Sequence, residues 1–99
     1  MKISELIKKL QEAEKKGINV VKCGKSYIDE VTCEGIGCYI DLKSSYAYGL
    51  TLSELIKELH SMRVGYGSDV EVKCTDHKIM YTEVIEDTCY INYKHGDEF

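Results

Sequence analysis

One pattern is written twice in this chain, and that repetition limits what the chain can fold into. A helix-like block reading Ser-Glu-Leu-Ile-Lys is followed by strand-like blocks reading Val-Lys-Cys and Cys-Tyr-Ile, and all three return later in the same order. The blocks begin at Ser4 and Ser53, at Val21 and Val72, and at Cys38 and Cys89. Recurrence in one order at nearly constant spacing indicates a single supersecondary unit that has been duplicated, with repeats at 1–47 and 48–99.

The length of 99 residues corresponds to one domain. Each half alone falls below the size that usually folds unaided, so we expect the two halves to share one core. The segment 44–49 between them is too short to separate independent domains. We therefore predict a single domain over 1–99.

Two helices are predicted from apolar residues at helical spacing. The first covers about 4–16, where Leu6 and Leu10 share a face and Gly17 follows the last turn. The second covers about 52–62, and Thr51 with Glu54 has the pattern of a capping box at its start. The residues 63–68, with two glycines, are predicted to form a loop.

Three short strands are predicted after each helix, from alternation of apolar and polar residues. Their connections are short, and such connections permit only antiparallel hairpins. The predicted ranges are 18–23, 27–33 and 38–42 in the first half, and 70–74, 79–85 and 88–93 in the second. The expected fold is α+β, a helix plus a three-stranded antiparallel meander occurring twice, and the sequence permits either one six-stranded sheet or two packed layers.

The charges are distributed unevenly along the chain. Residues 1–26 contain seven lysines and three glutamates, whereas 27–42 contain four carboxylates and no basic residue. Residues 74–99 are again acidic, and the formal net charge is -4. This pattern argues against direct nucleic-acid binding, which favours a continuous basic surface. No apolar run reaches membrane-spanning length, so we expect a soluble cytoplasmic protein that does not bind a membrane.

The five cysteines favour a structural interpretation over a chemical one. Cys23 matches Cys74 and Cys38 matches Cys89, at strand positions among Val, Ile and Leu, as expected for buried thiols. A zinc site is disfavoured because close pairs of the C-x-x-C type are missing, and disulfides because the count is odd and no secretory segment is recognisable. His60, His77 and His95 show no spacing that would serve a catalytic cysteine, and common catalytic motifs are absent. We expect no enzyme activity, no metal and no cofactor.

Tyrosine supplies eight of the nine aromatic residues. Tyr39 and Tyr90 occupy matching strand positions on the polar side of the alternation. Half-buried tyrosines are typical of protein interfaces, although cross-strand packing on an open sheet explains them equally well.

The opening Met-Lys-Ile-Ser-Glu-Leu-Ile-Lys-Lys-Leu, followed by Asn-Val-Val-Lys-Cys-Gly from Asn19 and by two acidic strands, resembles small phage-encoded αβββ proteins. One class of type II anti-CRISPR inhibitors is among them. The resemblance covers about half of the chain. It implies a non-enzymatic inhibitor that presents carboxylates to the basic nucleic-acid channel of a host defence protein. The positions so implied are Asp29, Glu30, Glu34 and Asp41, with Glu83, Glu86 and Asp87 in the second copy.

Two function hypotheses follow. In the first, an acidic and tyrosine-rich sheet surface, which includes Tyr39 and Tyr90, binds and inhibits a host defence effector. In the second, the repeat or a homodimer forms a pocket for a small molecule or nucleotide, and Lys22, Lys73 and Arg63 contact its phosphate.

Overall fold

The protein is described by a computed structural model that covers residues 1–35, 37–43, 49–67 and 69–93. Two helices and a six-stranded sheet alternate along the chain as α-β-β-β-α-β-β-β. The elements are α1 (Ile3–Lys15), β1 (Val20–Cys23), β2 (Ile28–Glu34), β3 (Gly37–Leu42), α2 (Leu52–Tyr66), β4 (Glu71–Cys74), β5 (His77–Ile85) and β6 (Thr88–Tyr93). The α+β class is confirmed. Most of the segment between the halves, and the tail 94–99, lie outside the described residues.

The strands form one mixed sheet in the order β1-β6-β5-β4-β3-β2. β2 and β3 form an antiparallel hairpin, and β4, β5 and β6 form an antiparallel meander. β1 lies parallel to β6 instead of pairing along β2, and β3 lies parallel to β4. The prediction of an antiparallel meander in the first half is therefore wrong. The connection from β3 to β4 contains α2, and it is long enough for the parallel return that short turns exclude.

Corresponding residues of the two halves occupy corresponding places in the ladders. In the parallel pairs, Cys38 lies beside Val72 and Cys89 beside Val21. Both long hairpins carry a register shift at the same step, after Ile28 in β2 and after Ile79 in β5. Each half thus places a strand beside the last strand of the other half.

The start of α2 is capped by its own neighbouring residues, whereas the start of α1 is capped by a residue of the other half. The predicted capping box is present in α2, where Thr51 accepts from the Glu54 N–H and Glu54 accepts from the Thr51 N–H. In α1 the equivalent role falls to Asp69, whose carboxylate accepts from the Ser4 N–H at 2.9 Å and from its hydroxyl at 2.5 Å. α2 continues to Tyr66 before Gly67 ends it in the left-handed conformation, so the loop predicted from residue 63 is instead helix.

One hydrophobic core lies between the helices and one face of the sheet. Leu6, Leu10, Leu55 and Leu59 are completely buried, as the helical spacing predicted. From the sheet, alternate residues enter the same core: Val21, Cys23, Ile28, Val31, Cys38, Ile40, Val72, Cys74, Ile79, Cys89 and Ile91. The intervening strand residues carry the polar groups of the opposite face, which we call the open face.

Gly49 is needed where the chain passes close to β2. A Cβ atom at this position would collide with the backbone of Ile28, whose carbonyl accepts from the Leu50 N–H at 2.9 Å. A residue without a side chain lets the segment approach α2 across the end of β2.

Candidate functional site: an acidic groove on the open face

The predicted acidic residues of β2 and β3 meet on the open face of the sheet. Glu30 lies opposite Asp41, and Thr32 lies opposite Tyr39, in the antiparallel ladder of the hairpin. Residues directly opposite in such a ladder share a side of the sheet. The hairpin therefore brings Glu30, Asp41 and Tyr39 together, which the spacing of these residues alone does not determine.

A groove of about 600 Å³ runs over this part of the open face. Its lining consists of Thr32, Glu34, Tyr39, Asp41, Thr75 and Asp76, and we call it the acidic groove. The last two residues come from the turn after β4, in the other half of the chain. They reach the groove because β4 lies parallel to β3 and the Thr75 N–H donates to the Ile40 carbonyl at 3.0 Å.

The carboxylates of the acidic groove have little compensation from cations. Asp41 accepts from the Thr32 hydroxyl at 3.1 Å, whereas Glu34 and Asp76 are exposed. Within the described part of the chain, no basic side chain forms an ion pair with Glu34, Asp41 or Asp76. Two basic residues lie on the same side of the sheet: Lys73, beside Tyr39 in the parallel ladder, and Lys78, opposite Lys73. The groove is thus a local surplus of negative charge.

Thr75 adopts an unusual backbone conformation at the edge of the groove. Its φ of 54° lies in the left-handed region, which β-branched residues rarely enter. The equivalent turn in the first half has Gly24 at this position, with a φ of 62°. The strain of a threonine here is retained beside the carboxylates, and such strain often marks a functional surface.

Asp29 is separated from the acidic groove by the register shift in β2. It is exposed, and its carboxylate lies 3.7 Å from the Lys43 ammonium. Of the residues predicted in the first copy, Glu34, Tyr39 and Asp41 line the groove, Glu30 lies beside it, and Asp29 does not contribute to its lining.

The residues predicted in the second copy do not form an equivalent acidic groove. Glu83 lies opposite Tyr90 and accepts from the Asn92 amide at 3.2 Å, while Glu86 and Asp87 are in the turn between β5 and β6. At the positions equivalent to Glu34, Asp41 and Asp76, the other half of the chain has Ile85, Asn92 and Lys25, respectively. The two halves therefore present chemically different surfaces.

Sequence reasoning missed Thr32, Thr75 and Asp76 as groove residues. Asp76 lies far from the acidic strands in sequence, and only the parallel pairing of β3 with β4 brings it to them. A sequence signal did exist, since the helix between these strands allows a parallel return.

Cys23, Cys38, Cys74 and Cys89 are buried as predicted and Cys33 is partly buried, but the bonding of the cysteines differs from the prediction. Cys23 is joined to Cys74, which connects the two halves, and Cys33 is joined to Cys38 across the β2–β3 ladder with Cα atoms 4.1 Å apart. The expectation of free thiols at these four positions is therefore wrong. Cys23 and Cys74 are equivalent residues of the two halves, whereas Cys33 and Cys38 are opposite residues of one hairpin, and the equivalent pair in the second half is Val84 with Cys89.

The remaining cysteine, Cys89, is buried and free. Burial raises the pKa of its thiol to about 11, the reverse of what an attacking thiolate needs. His77 stacks on Tyr93 with ring centroids 5.0 Å apart, His60 is exposed, and His95 lies outside the described residues. Among the residues with a described position, no group of three His, Cys, Asp or Glu side chains is arranged to hold a metal ion.

The three basic residues of the nucleotide hypothesis lie apart. Arg63 lines a cavity of about 390 Å³ with His60 and Asp69 beside the end of α2. Neither Lys22 nor Lys73 lines that cavity. Lys22 lies over the Tyr27 ring, 4.7 Å from its centroid, and next to Tyr90 in the β1–β6 ladder. The arrangement does not provide one phosphate site built from all three.

Comparison of the chain with protein-family models, with curated proteins and with solved structures finds no match. Neither α1 nor α2 is long and apolar enough to cross a membrane, and no other helix occurs in the described residues.

Proposed function

We propose that this protein is a non-enzymatic binding module that uses the acidic groove to bind a basic surface of another protein. The observation that carries the proposal is the groove itself, in which Glu34, Asp41 and Asp76 converge from both halves without an ion-pair partner among the described residues. A partner that supplies Lys or Arg side chains would form the missing pairs.

Electrostatic arrangement supports this function further. Glu30 and Asp41 lie directly opposite each other, and like charges in that relation destabilise a sheet. A basic partner would turn this repulsion into attraction and would also accelerate association. Tyr39, half-buried on the floor of the groove, offers ring surface and a hydroxyl to the same partner.

The non-enzymatic assignment is supported by the thiol chemistry. Cys89 is the free cysteine, and its raised pKa and burial oppose nucleophilic catalysis. The acidic groove is also an open surface feature, so it is better suited to contact a protein surface than to enclose a small substrate.

The resemblance of the first residues to phage-encoded αβββ inhibitors suggests the class of partner. We propose a host defence effector whose nucleic-acid channel is basic, and an anti-CRISPR-like inhibitory role in the cytoplasm of a phage host. Carboxylates spaced along β2 and β3 would there compete with the phosphates of DNA or RNA.

We further propose that the chain is a duplicated αβββ unit whose copies have diverged in function. Matching ladder registers and matching positions of the β2 and β5 register shifts support the duplication. The first copy, completed by the turn of the second, provides the acidic groove.

The test is the affinity of a purified RNA-guided defence nuclease for wild-type protein and for the variant Glu34→Gln, Asp41→Asn, Asp76→Asn. We expect the variant to bind at least about tenfold more weakly, because surface charges act mainly by raising the rate of association. The affinity of the variant should also depend less on salt concentration.

A matched control removes the same number of negative charges from the helical layer, as Glu5→Gln, Glu12→Gln, Glu58→Gln. We expect this control to keep most of the wild-type affinity. Equal weakening in both variants would attribute binding to net charge, and unchanged affinity in the groove variant would refute the proposed site.

A further inference from the structure

A second, smaller pocket adjoins the acidic groove. It has a volume of about 220 Å³, and we call it the side pocket. Its lining consists of Gly37, Cys38, Tyr39, Glu71 and Lys73, from β3 and β4. Tyr39 lines both cavities, so the side pocket and the acidic groove share one aromatic wall.

The side pocket is open partly because Gly37 has no side chain. In the parallel ladder, Gly37 lies beside Glu71 and Tyr39 lies beside Lys73. Gly37 is not among the glycines in the left-handed conformation, so the backbone does not require glycine at this position. A Cβ atom here would lie 3.5 Å from its nearest neighbour, the Glu71 carbonyl oxygen, which is an ordinary contact. What this glycine provides is space.

The second half has a side chain where the first half has this space. The ladder registers make Thr88 the equivalent of Gly37 and Tyr90 the equivalent of Tyr39. Thr88 is 9% exposed, so its side chain is packed into the structure. The open position therefore occurs in the half that also contributes most of the acidic groove.

The side pocket differs chemically from the acidic groove. Its accessible lining is mostly apolar. Its one carboxylate, that of Glu71, already accepts from the amino group of Met1 at 2.5 Å. The side pocket therefore does not extend the negative charge of the groove, and its volume suits one aliphatic side chain.

We propose that the side pocket binds an aliphatic side chain of the same partner segment whose Lys or Arg side chains enter the acidic groove. The inference rests on the proposed function, because the charge of the groove selects a basic segment. Gly37 and Asp41 are four residues apart on β3, which corresponds to roughly 13 Å along the strand. An extended segment lying along β3 covers that distance in four residues, and residues at this spacing face the same side. The partner's aliphatic and basic residues should thus be four positions apart.

Synthetic peptides test this pairing on the wild-type protein. A nine-residue peptide of serines with leucine at its centre and arginine four positions to either side fits in both chain directions. The control peptide has serine in place of the leucine. In nuclear magnetic resonance titrations of the full chain, we expect the leucine peptide to bind about tenfold more tightly, because it buries an apolar side chain. It should shift the amide signals of Gly37 and Lys73 as well as those of Asp41 and Asp76, whereas the serine peptide should shift only the latter two.

A variant with a filled pocket tests the inference from the protein side. Gly37→Thr introduces the residue that the second half has at the equivalent position, and it changes no charge. We expect it to bind both peptides equally, and to bind the RNA-guided nuclease about tenfold more weakly than the wild type with an unchanged salt dependence. Thr88→Val is the matched control in the second half and should behave like the wild type.

The outcomes separate the side pocket from the proposed function. Equal affinity of the wild type for both peptides, absence of binding by either, or absence of shifts at Gly37 and Lys73 would overturn the side pocket even if Gly37→Thr fails to fold. If the variant Glu34→Gln, Asp41→Asn, Asp76→Asn loses nuclease binding but Gly37→Thr keeps it, the side pocket is refuted and the proposed function stands. If neither variant weakens nuclease binding, the proposed function fails, while a leucine preference that Gly37→Thr abolishes would still support the side pocket.

Discussion

Truncation of one buried leucine in α1 should destabilise both halves of the protein equally. Leu6 and Leu55 are fully buried equivalents in α1 and α2, within one hydrophobic core. A buried Leu→Ala change removes the transfer energy of the side chain and leaves a cavity, for a loss of about 3 kcal/mol. Because a domain of this size has a total stability of about 5–15 kcal/mol, the loss is a substantial part of it.

We expect Leu6→Ala to lower the melting temperature by roughly 12–24 °C, with the whole protein still unfolding in a single transition. Residue-resolved amide exchange shows whether the effect spreads. Val21 in β1 and Ile91 in β6 should lose the same free energy of protection, because β1 lies beside β6. Lys8→Ala, an exposed position on the same helix, should change stability by less than about 0.5 kcal/mol. Loss of protection confined to the first half would refute the shared core.

Three further outcomes follow from particular contacts. Alkylation of the unfolded, non-reduced protein should label one cysteine, Cys89, and mass spectrometry showing five labelled residues would contradict both disulfides. Hydrogen bonds from Ser4 hold the pKa of Asp69 below its usual value. In urea titrations, the stability advantage of the wild type over Asp69→Asn should therefore be full at pH 7 and shrink as the pH falls through the lowered pKa. An advantage that does not depend on pH would argue against this linkage. Thr75→Gly should raise the urea midpoint by an amount equivalent to about 1 kcal/mol, since glycine accepts the left-handed conformation that strains threonine. A lower midpoint would show that the threonine side chain stabilises the turn.

The secondary structure was predictable because local rules decide it. Leu6 and Leu55 recur at helical spacing, Thr51 and Glu54 form a capping box that depends on neighbouring residues only, and the cysteines alternate with polar residues as buried strand positions do. The predicted end of α2 was too early, because Gly65 and Gly67 together favoured a loop from residue 63. The helix tolerates Gly65 in its last turn, and Gly67 ends it.

The sheet topology was not predictable from the same rules. Parallel pairing of β1 with β6 joins residues near opposite ends of the chain, and no local pattern encodes that neighbourhood. The acidic groove follows from topology in the same way. Glu34, Tyr39 and Asp41 were found because they share one hairpin, while Asp76 needed the β3–β4 pairing to reach them.

Bonding between cysteines also depends on the long-range arrangement. Composition and the odd cysteine count argued for free thiols, yet the interleaved halves bring Cys23 to Cys74. Two equivalent residues that both face the core can meet only when the two halves share that core. The sequence indicates a shared core, but it does not determine which residues meet within it.

The most direct test of the proposed function is a footprint of the complex by amide exchange and nuclear magnetic resonance. With a bound RNA-guided nuclease, we expect protection and shift changes at Tyr39, Asp41, Thr75 and Asp76, the groove residues contributed by both halves. The lysine-rich surface of α1, at Lys8 and Lys15, should remain unaffected. A footprint on α1 with an unperturbed acidic groove would contradict the proposal and assign binding to the basic helix.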